Sequence, residues 1–175
     1  MAEKPIPVTE EPDFFGNCCT VGVIGSHDFA LYVHQRVYQQ LETFSAESTA
    51  KERACILLGE WYCHGKKEWL VISHMLPATQ TIATAESVTF TAQTWQEIHK
   101  QRNACFGDKK IVGWHHTHPG YGVELSAGDR FIHENFFSSP FQVAYVIDPL
   151  QNRRCFYGWK NHTLQPLSGY YVYSE

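Results

Sequence analysis

Apolar positions along this chain switch between two periods, and the switches mark out strands and helices in alternation. Residues 54–62 and 68–75 are near-continuous apolar runs around Gly65-Lys66-Lys67, the pattern of a hairpin of buried strands. Residues 110–116, 142–147 and 154–160 read as three further strands, and 19–24 and 87–90 as short ones. Gly169-Tyr-Tyr-Val-Tyr173 adds an edge strand. Helical spacing comes in three places. Phe29, Val33, Val37, Leu41 and Phe44 form one stripe, so a helix is expected to start at Gly25-Ser26. A second helix covers 92–102, with Trp95 and Ile98 inward. In a third, over 129–137, Phe131, Ile132, Phe136 and Phe137 recur at helical intervals behind a capping Ser126. The order predicts an α/β fold, a mixed sheet with helices against its faces. Residues 1–16, rich in proline and acids, read as a flexible lead-in to one domain over 17–175, and 79–86 as its least regular stretch.

Composition narrows the class. A chain of 175 residues, 43% hydrophobic, can bury one sizeable core. A net charge of -4 and a pI near 6.2 give no reason to expect a nucleic-acid partner, and basic residues gather only in pairs such as Lys66-Lys67, Lys109-Lys110 and Arg153-Arg154. No apolar segment is long enough to span a bilayer, and the start lacks the apolar stretch of a signal peptide. A soluble, cytoplasmic protein without a membrane partner is therefore expected. The cysteines at 18, 19, 55, 63, 105 and 155 contain no Cys-x-x-Cys and are expected as free, mostly buried thiols. Cys18 or Cys19 near His27 is the arrangement a thiol nucleophile would use, and nothing in the sequence orients such a pair.

The chemistry concentrates in residues 116–129. His116 and His118 sit two apart on an extended segment, so they share one face and both imidazoles can reach one ion, while His115 and Thr117 point the other way. His115 is therefore expected to pack or hydrogen-bond rather than ligate. Pro119 stops the strand, and Gly120 and Gly122 let the chain turn sharply. Ser126-Ala-Gly-Asp129 then opens the third helix in a capping pattern that can aim Asp129 at a cation held by the histidines. Two imidazoles and one carboxylate leave a fourth position on zinc for water, the signature of a catalytic site. Hydrolysis also needs a general base, and the segment Lys51–Glu60 offers two carboxylates, Glu52 and Glu60. His27, His34, His64, His74, His99, His133 and His162 show no ligand spacing. A zinc deaminase would want a Pro-Cys-x-x-Cys pair, which is absent.

Taken together, Glu52 before an apolar strand ending in Leu58-Gly59, His116-x-His118-Pro119 and Ser126-x-x-Asp129 resemble the JAMM motif of the MPN+ (Mov34/PAD-1, JAB) metalloprotease family. The likeness extends from about Thr20 to Asp148, through Ile111-Val-Gly-Trp and Val143-Ala-Tyr-Val-Ile-Asp-Pro149. It implies an MPN (JAB)-like domain in which His116, His118 and Asp129 bind one catalytic zinc ion. In that reading Glu52, rather than Glu60, holds the water bound to the zinc, and Ser126 donates to the oxyanion. It further implies hydrolysis of an isopeptide or peptide bond after the C-terminal tail of ubiquitin or a ubiquitin-like protein, with contacts near 79–86. It also implies subunits of a larger complex as partners. Family members without the zinc residues act as scaffolds, which is the alternative function, and here every motif position is filled.

Overall fold

The computed structural model describes residues 3–11, 17–25 and 29–175. Its frame is a ten-stranded sheet. In chain order the elements are β1 (Ile6–Pro7), β2 (Cys18–Gly22), β3 (Ala30–His34), α1 (Gln35–Ala46), β4 (Ala54–His64), β5 (Lys67–Pro77), β6 (Ile82–Ala83), β7 (Val88–Thr89), α2 (Ala92–Cys105), β8 (Lys110–Thr117), α3 (Ala127–Phe136), β9 (Val143–Asp148), β10 (Arg153–Lys160), β11 (Thr163–Pro166) and β12 (Gly169–Tyr173). The sheet runs β11-β10-β9-β8-β4-β5-β3-β12-β2, with β1 beside β4 and β6–β7 as a separate small hairpin. It is mixed: β8 lies parallel to β9 and antiparallel to β4.

The central strands are apolar on both faces because both faces are covered. From β4, Cys55 and Leu57 pack with Val37, Leu41 and Phe44 of α1. Ala54, Ile56 and Leu58 pack on the other side with Ile98 of α2 and Ile132 and Phe137 beside α3. Each fully buried Leu or Ile contributes roughly 1.5–3 kcal/mol relative to exposure. Gly113 lets β8 and β9 approach closely, since a Cβ there would lie 2.2 Å from Val143 O. That approach sets the register Gly113↔Val143 through Thr117↔Ile147 and so the height at which His116 leaves the sheet.

Several expectations need correction. The helix expected from Gly25-Ser26 begins only at Gln35, capped by His34, whose Nδ1 accepts from Arg36 N at 3.1 Å; residues 26–28 lie outside the described ones. Residues 30–34 are instead β3, between β5 and β12. Phe29 and Val33 are four apart, an interval that satisfies a period of two as well as 3.6. The alternation of buried Leu31 and Val33 against Tyr32, which joins Trp69 and Tyr173 on the opposite face, belongs to a strand. β12 is not an edge, because β2 covers it. Within the lead-in, Ile6–Pro7 pairs with Tyr62–Cys63 and Val8 N donates to Cys63 O (3.0 Å), so this part is tied to the sheet. Pro12–Gly16 lies outside the described residues. The cysteines are free, but of the six only Cys55 is buried. No helix among the described residues is long and apolar enough to cross a membrane.

Candidate active site

The antiparallel register of β4 and β8 pairs Ala54 with His116. Beyond it the ladder is continued by Thr117 N to Arg53 O (3.0 Å) and by Arg53 N to Thr117 Oγ1 (2.9 Å). One step further, Glu52 comes level with His118. Its own N donates to Thr84 O (2.7 Å), so the 79–86 stretch, whose Ile82–Ala83 pairs with β7, braces it from behind. Glu60 stands further along β4, roughly 26 Å away at strand rise, and is ion-paired with Lys109 at 3.2 Å.

His116 Nε2 and His118 Nε2 converge to 3.0 Å. Asp129 reaches both, Oδ1 lying 3.2 Å from His116 Nε2 and Oδ2 3.1 Å from His118 Nε2. Glu52 Oε1 is 3.9 Å from His118 Nε2. All four residues are buried. His118 N donates to Ile147 O (2.9 Å), which holds the chain beside β9 one residue past the end of β8. Asp129 is delivered by a capping box: Ser126 Oγ accepts from Asp129 N (3.1 Å), and Asp129 Oδ2 accepts from Ser126 N (2.7 Å). Since Ser126 Oγ is the acceptor in that bond, its own proton remains available to donate, and the residue is exposed.

The donor set suits a cation. His118 Nδ1 faces Gly122 O at 3.1 Å and donates there, so that in the neutral ring the lone pair of Nε2 points at the Asp129 carboxylate. A lone pair against an anion in a buried site calls for a positive charge between them. The nearest nitrogen and oxygen atoms of His116, His118 and Asp129 lie within 4.8 Å of one another, as three ligands of one ion require. Burial pushes the Asp129 carboxyl up, but the two histidines and the Ser126 N–H outweigh it and hold the group well below the usual carboxylate range. For Glu52 burial prevails and the carboxyl is pushed up, against the Tyr121 hydrogen bond and the histidines. The two carboxyls are thus pushed apart, Glu52 up and Asp129 down.

The remaining sequence candidates fall outside the cluster. His115 takes the opposite face of β8, as expected: its Nδ1–H donates to Tyr145 O (2.9 Å), its Nε2 lies 3.0 Å from Ser45 Oγ, and burial pushes its pKa down to about 3. Cys18 and Cys19 lie on β2, at the far edge of the sheet, and His27 is outside the described residues.

Three supporting residues escaped sequence reasoning. Asp148, fully buried at the end of β9, accepts from the backbone N–H of Gly120 (3.0 Å), Gly122 (2.7 Å), Leu150 (2.9 Å) and Gln151 (3.0 Å). Burial pushes its carboxyl up, and those donors more than reverse the effect. It ties down the turn in which Gly120 (φ +91°) and Gly122 (φ +89°) take conformations that favour glycine. Tyr121, between those glycines, stacks on His118 (centroids 4.5 Å, 24°) and donates its hydroxyl to Glu52 Oε1. A short local signal existed only for Tyr121, an aromatic residue set between two turn glycines.

His133, one turn along α3 from Asp129, accepts at Nδ1 from Trp114 Nε1 (3.1 Å), and the Trp114 ring lies flat on His116 (4.2 Å, 11°). Burial lowers the His133 pKa from 6.5 to about 4. The unfolded chain therefore takes up this proton before the native one does. The contribution of His133 to stability is expected to fall as pH drops from about 6.5 and to level off below about 4, by on the order of 3 kcal/mol, while buried His115 adds a loss of its own that continues to about pH 3. Urea midpoints between pH 7 and 4 check this, and the slope should flatten in His133→Gln.

A family model described as JAB1/Mov34/MPN/PAD-1 ubiquitin protease matches residues 30–138. The chain is 33% identical over 81 residues to the 26S proteasome non-ATPase regulatory subunit 14 of Dictyostelium discoideum, covering 45% of this chain and 26% of that protein. It is 28% identical over 143 residues to COP9 signalosome complex subunit 5 of Eremothecium gossypii, covering 69% and 32%. It is also 36% identical over 101 residues to the NAD(+) hydrolase TcpA of a Theionarchaea archaeon, covering 52% and 31%. These matches span about a third or less of the relatives' lengths. The solution structure of protein DSY2949 from Desulfitobacterium hafniense shares the fold, with a TM-score of 0.59 at 16% identity, over 83% of this chain and 92% of that one. With more than half of the sequence matched by the family model, and an α/β sheet that gathers the motif's histidines and carboxylates in one place, this chain belongs to the JAB/MPN family.

Proposed function

We propose that residues 17–175 form a zinc-dependent peptidase domain that hydrolyses the peptide or isopeptide bond following the C-terminal tail of ubiquitin or a ubiquitin-like protein. The observation that carries the reading is the convergence of Glu52, a buried carboxylate with a raised pKa, on the His116–His118–Asp129 cluster. His116, His118 and Asp129 would hold the zinc ion. Bound there, zinc supplies Lewis acidity, acidifying a water and polarising the scissile carbonyl. Glu52 takes the proton of the attacking water and returns it to the leaving amine. The exposed Ser126 hydroxyl donates to the oxyanion that develops on the carbonyl. No side chain becomes acylated.

The family description, a ubiquitin protease, supports the substrate class, and the named proteasome and COP9 signalosome relatives support a role as a subunit of a larger assembly. The test is to incubate zinc-loaded protein with ubiquitin-like fusions, isopeptide conjugates and NAD(+), mapping products by mass. Cleavage directly after the ubiquitin-like tail is the expected result. Release of nicotinamide without any peptide cleavage would replace this reading, and a chain that binds no zinc and cuts nothing would be a scaffold.

A further inference from the structure

Glu52 is an unusual group to leave with so little support. It is 2% exposed, its Oε2 has no hydrogen-bond partner, and among the described residues the one donor to its carboxylate is the Tyr121 hydroxyl. A buried carboxylate held by a single donor has one preferred orientation only as long as that donor is there. Tyr121 is itself held. Its ring lies on His118, and its backbone sits between two glycine N–H groups that Asp148 binds. Gly120 O is fixed in turn by Gln151 Nε2 (2.8 Å). At 40% exposure the ring adds little to the core, so its contacts are not explained by packing.

Resting on the proposed hydrolytic reading, we infer that Tyr121 is a positioning residue. Through its hydroxyl it orients the Glu52 carboxylate toward the histidines, and through its ring it fixes the plane of His118. Asp148 acts behind it as the brace that keeps the 119–122 turn in this conformation. Glu52 Oε1, the oxygen Tyr121 holds, is also the one that faces His118 at 3.9 Å, so the phenol sets the angle at which the base meets the reacting centre.

The test compares zinc-loaded wild-type protein with Tyr121→Phe, which keeps the ring on His118 and removes only the hydroxyl. On a fusion cleaved by the wild type, kcat should fall at least fivefold, with KM within twofold and with zinc content and Tm unchanged. A smaller fall, a rise in kcat, or a loss carried by KM would overturn the assignment. The second readout does not depend on activity. In protein carrying 13Cζ-labelled tyrosine, the signal absent from Tyr121→Phe should move in Glu52→Ala; a signal that stays put would overturn the contact itself. If no fusion is cleaved by the wild type while that signal does move, the hydrolytic reading fails and the Tyr121–Glu52 contact stands.

Discussion

Glu52→Gln is expected to retain about as much zinc as the wild type and to lose turnover by about 10²–10⁴-fold, the range contributed by a positioned general base. Gln fills the same volume and keeps a carbonyl oxygen to accept from Tyr121, so the pocket, His118 and the turn should be undisturbed. What Gln lacks is the capacity to accept a proton. Steady-state kinetics alongside metal analysis of the same preparation would check the split: kcat should collapse while KM and zinc content hold. Full turnover in this variant would remove the base from this site altogether. Glu60, the other carboxylate of the segment, is not placed to replace Glu52, being engaged with Lys109 further along the strand.

Asp129→Ala is expected to lose both zinc and turnover. Two imidazoles alone make a weak site, and in the proposed site the carboxylate that spans them at 3.1 and 3.2 Å would be the anionic ligand beside them. The clearest readout is thermal. A ligand that binds only the native state at a thousandfold excess over its Kd adds about 4 kcal/mol, so wild-type protein should gain Tm on zinc addition and the variant should not. Asp129 also closes the α3 capping box, so Ala should cost about 1 kcal/mol of stability without any metal. Asp129→Asn separates the two roles, keeping an oxygen for Ser126 N while removing the charge. A zinc-induced Tm rise equal to the wild type's in Asp129→Asn would mean the carboxylate is not a ligand.

The parts of the site that could be read from the chain are those whose geometry is local. His116 and His118 share a face because strand side chains alternate, and Ser126 and Asp129 face each other because a capping box closes over three residues. The start of α1 is hidden from the chain for the same reason in reverse. Phe29 and Val33 fit either period, and it is pairing with β5 and β12, distant in sequence, that makes 30–34 a strand. Composition likewise cannot tell an edge strand from an interior one: Gly169–Tyr173 is interior because β2, about 150 residues earlier, lies alongside it.

From its own order of residues, then, this chain determines its alternating strands and helices, its two apolar faces and a pair of imidazoles set to meet a capping aspartate. The folded molecule decides how a carboxylate joins them. Within the run from Lys51 to Glu60 the spacing to Leu58-Gly59 favours Glu52 by resemblance, but no local geometry brings either acid to the histidines. The antiparallel register of β4 on β8 does so, carrying Glu52 to the level of His118 and leaving Glu60 further along the strand beside Lys109. Tyr121 and Asp148 become partners of that site only through contacts across 69 and 26–28 residues, which arise from sheet pairing and turn geometry rather than from any short-range pattern.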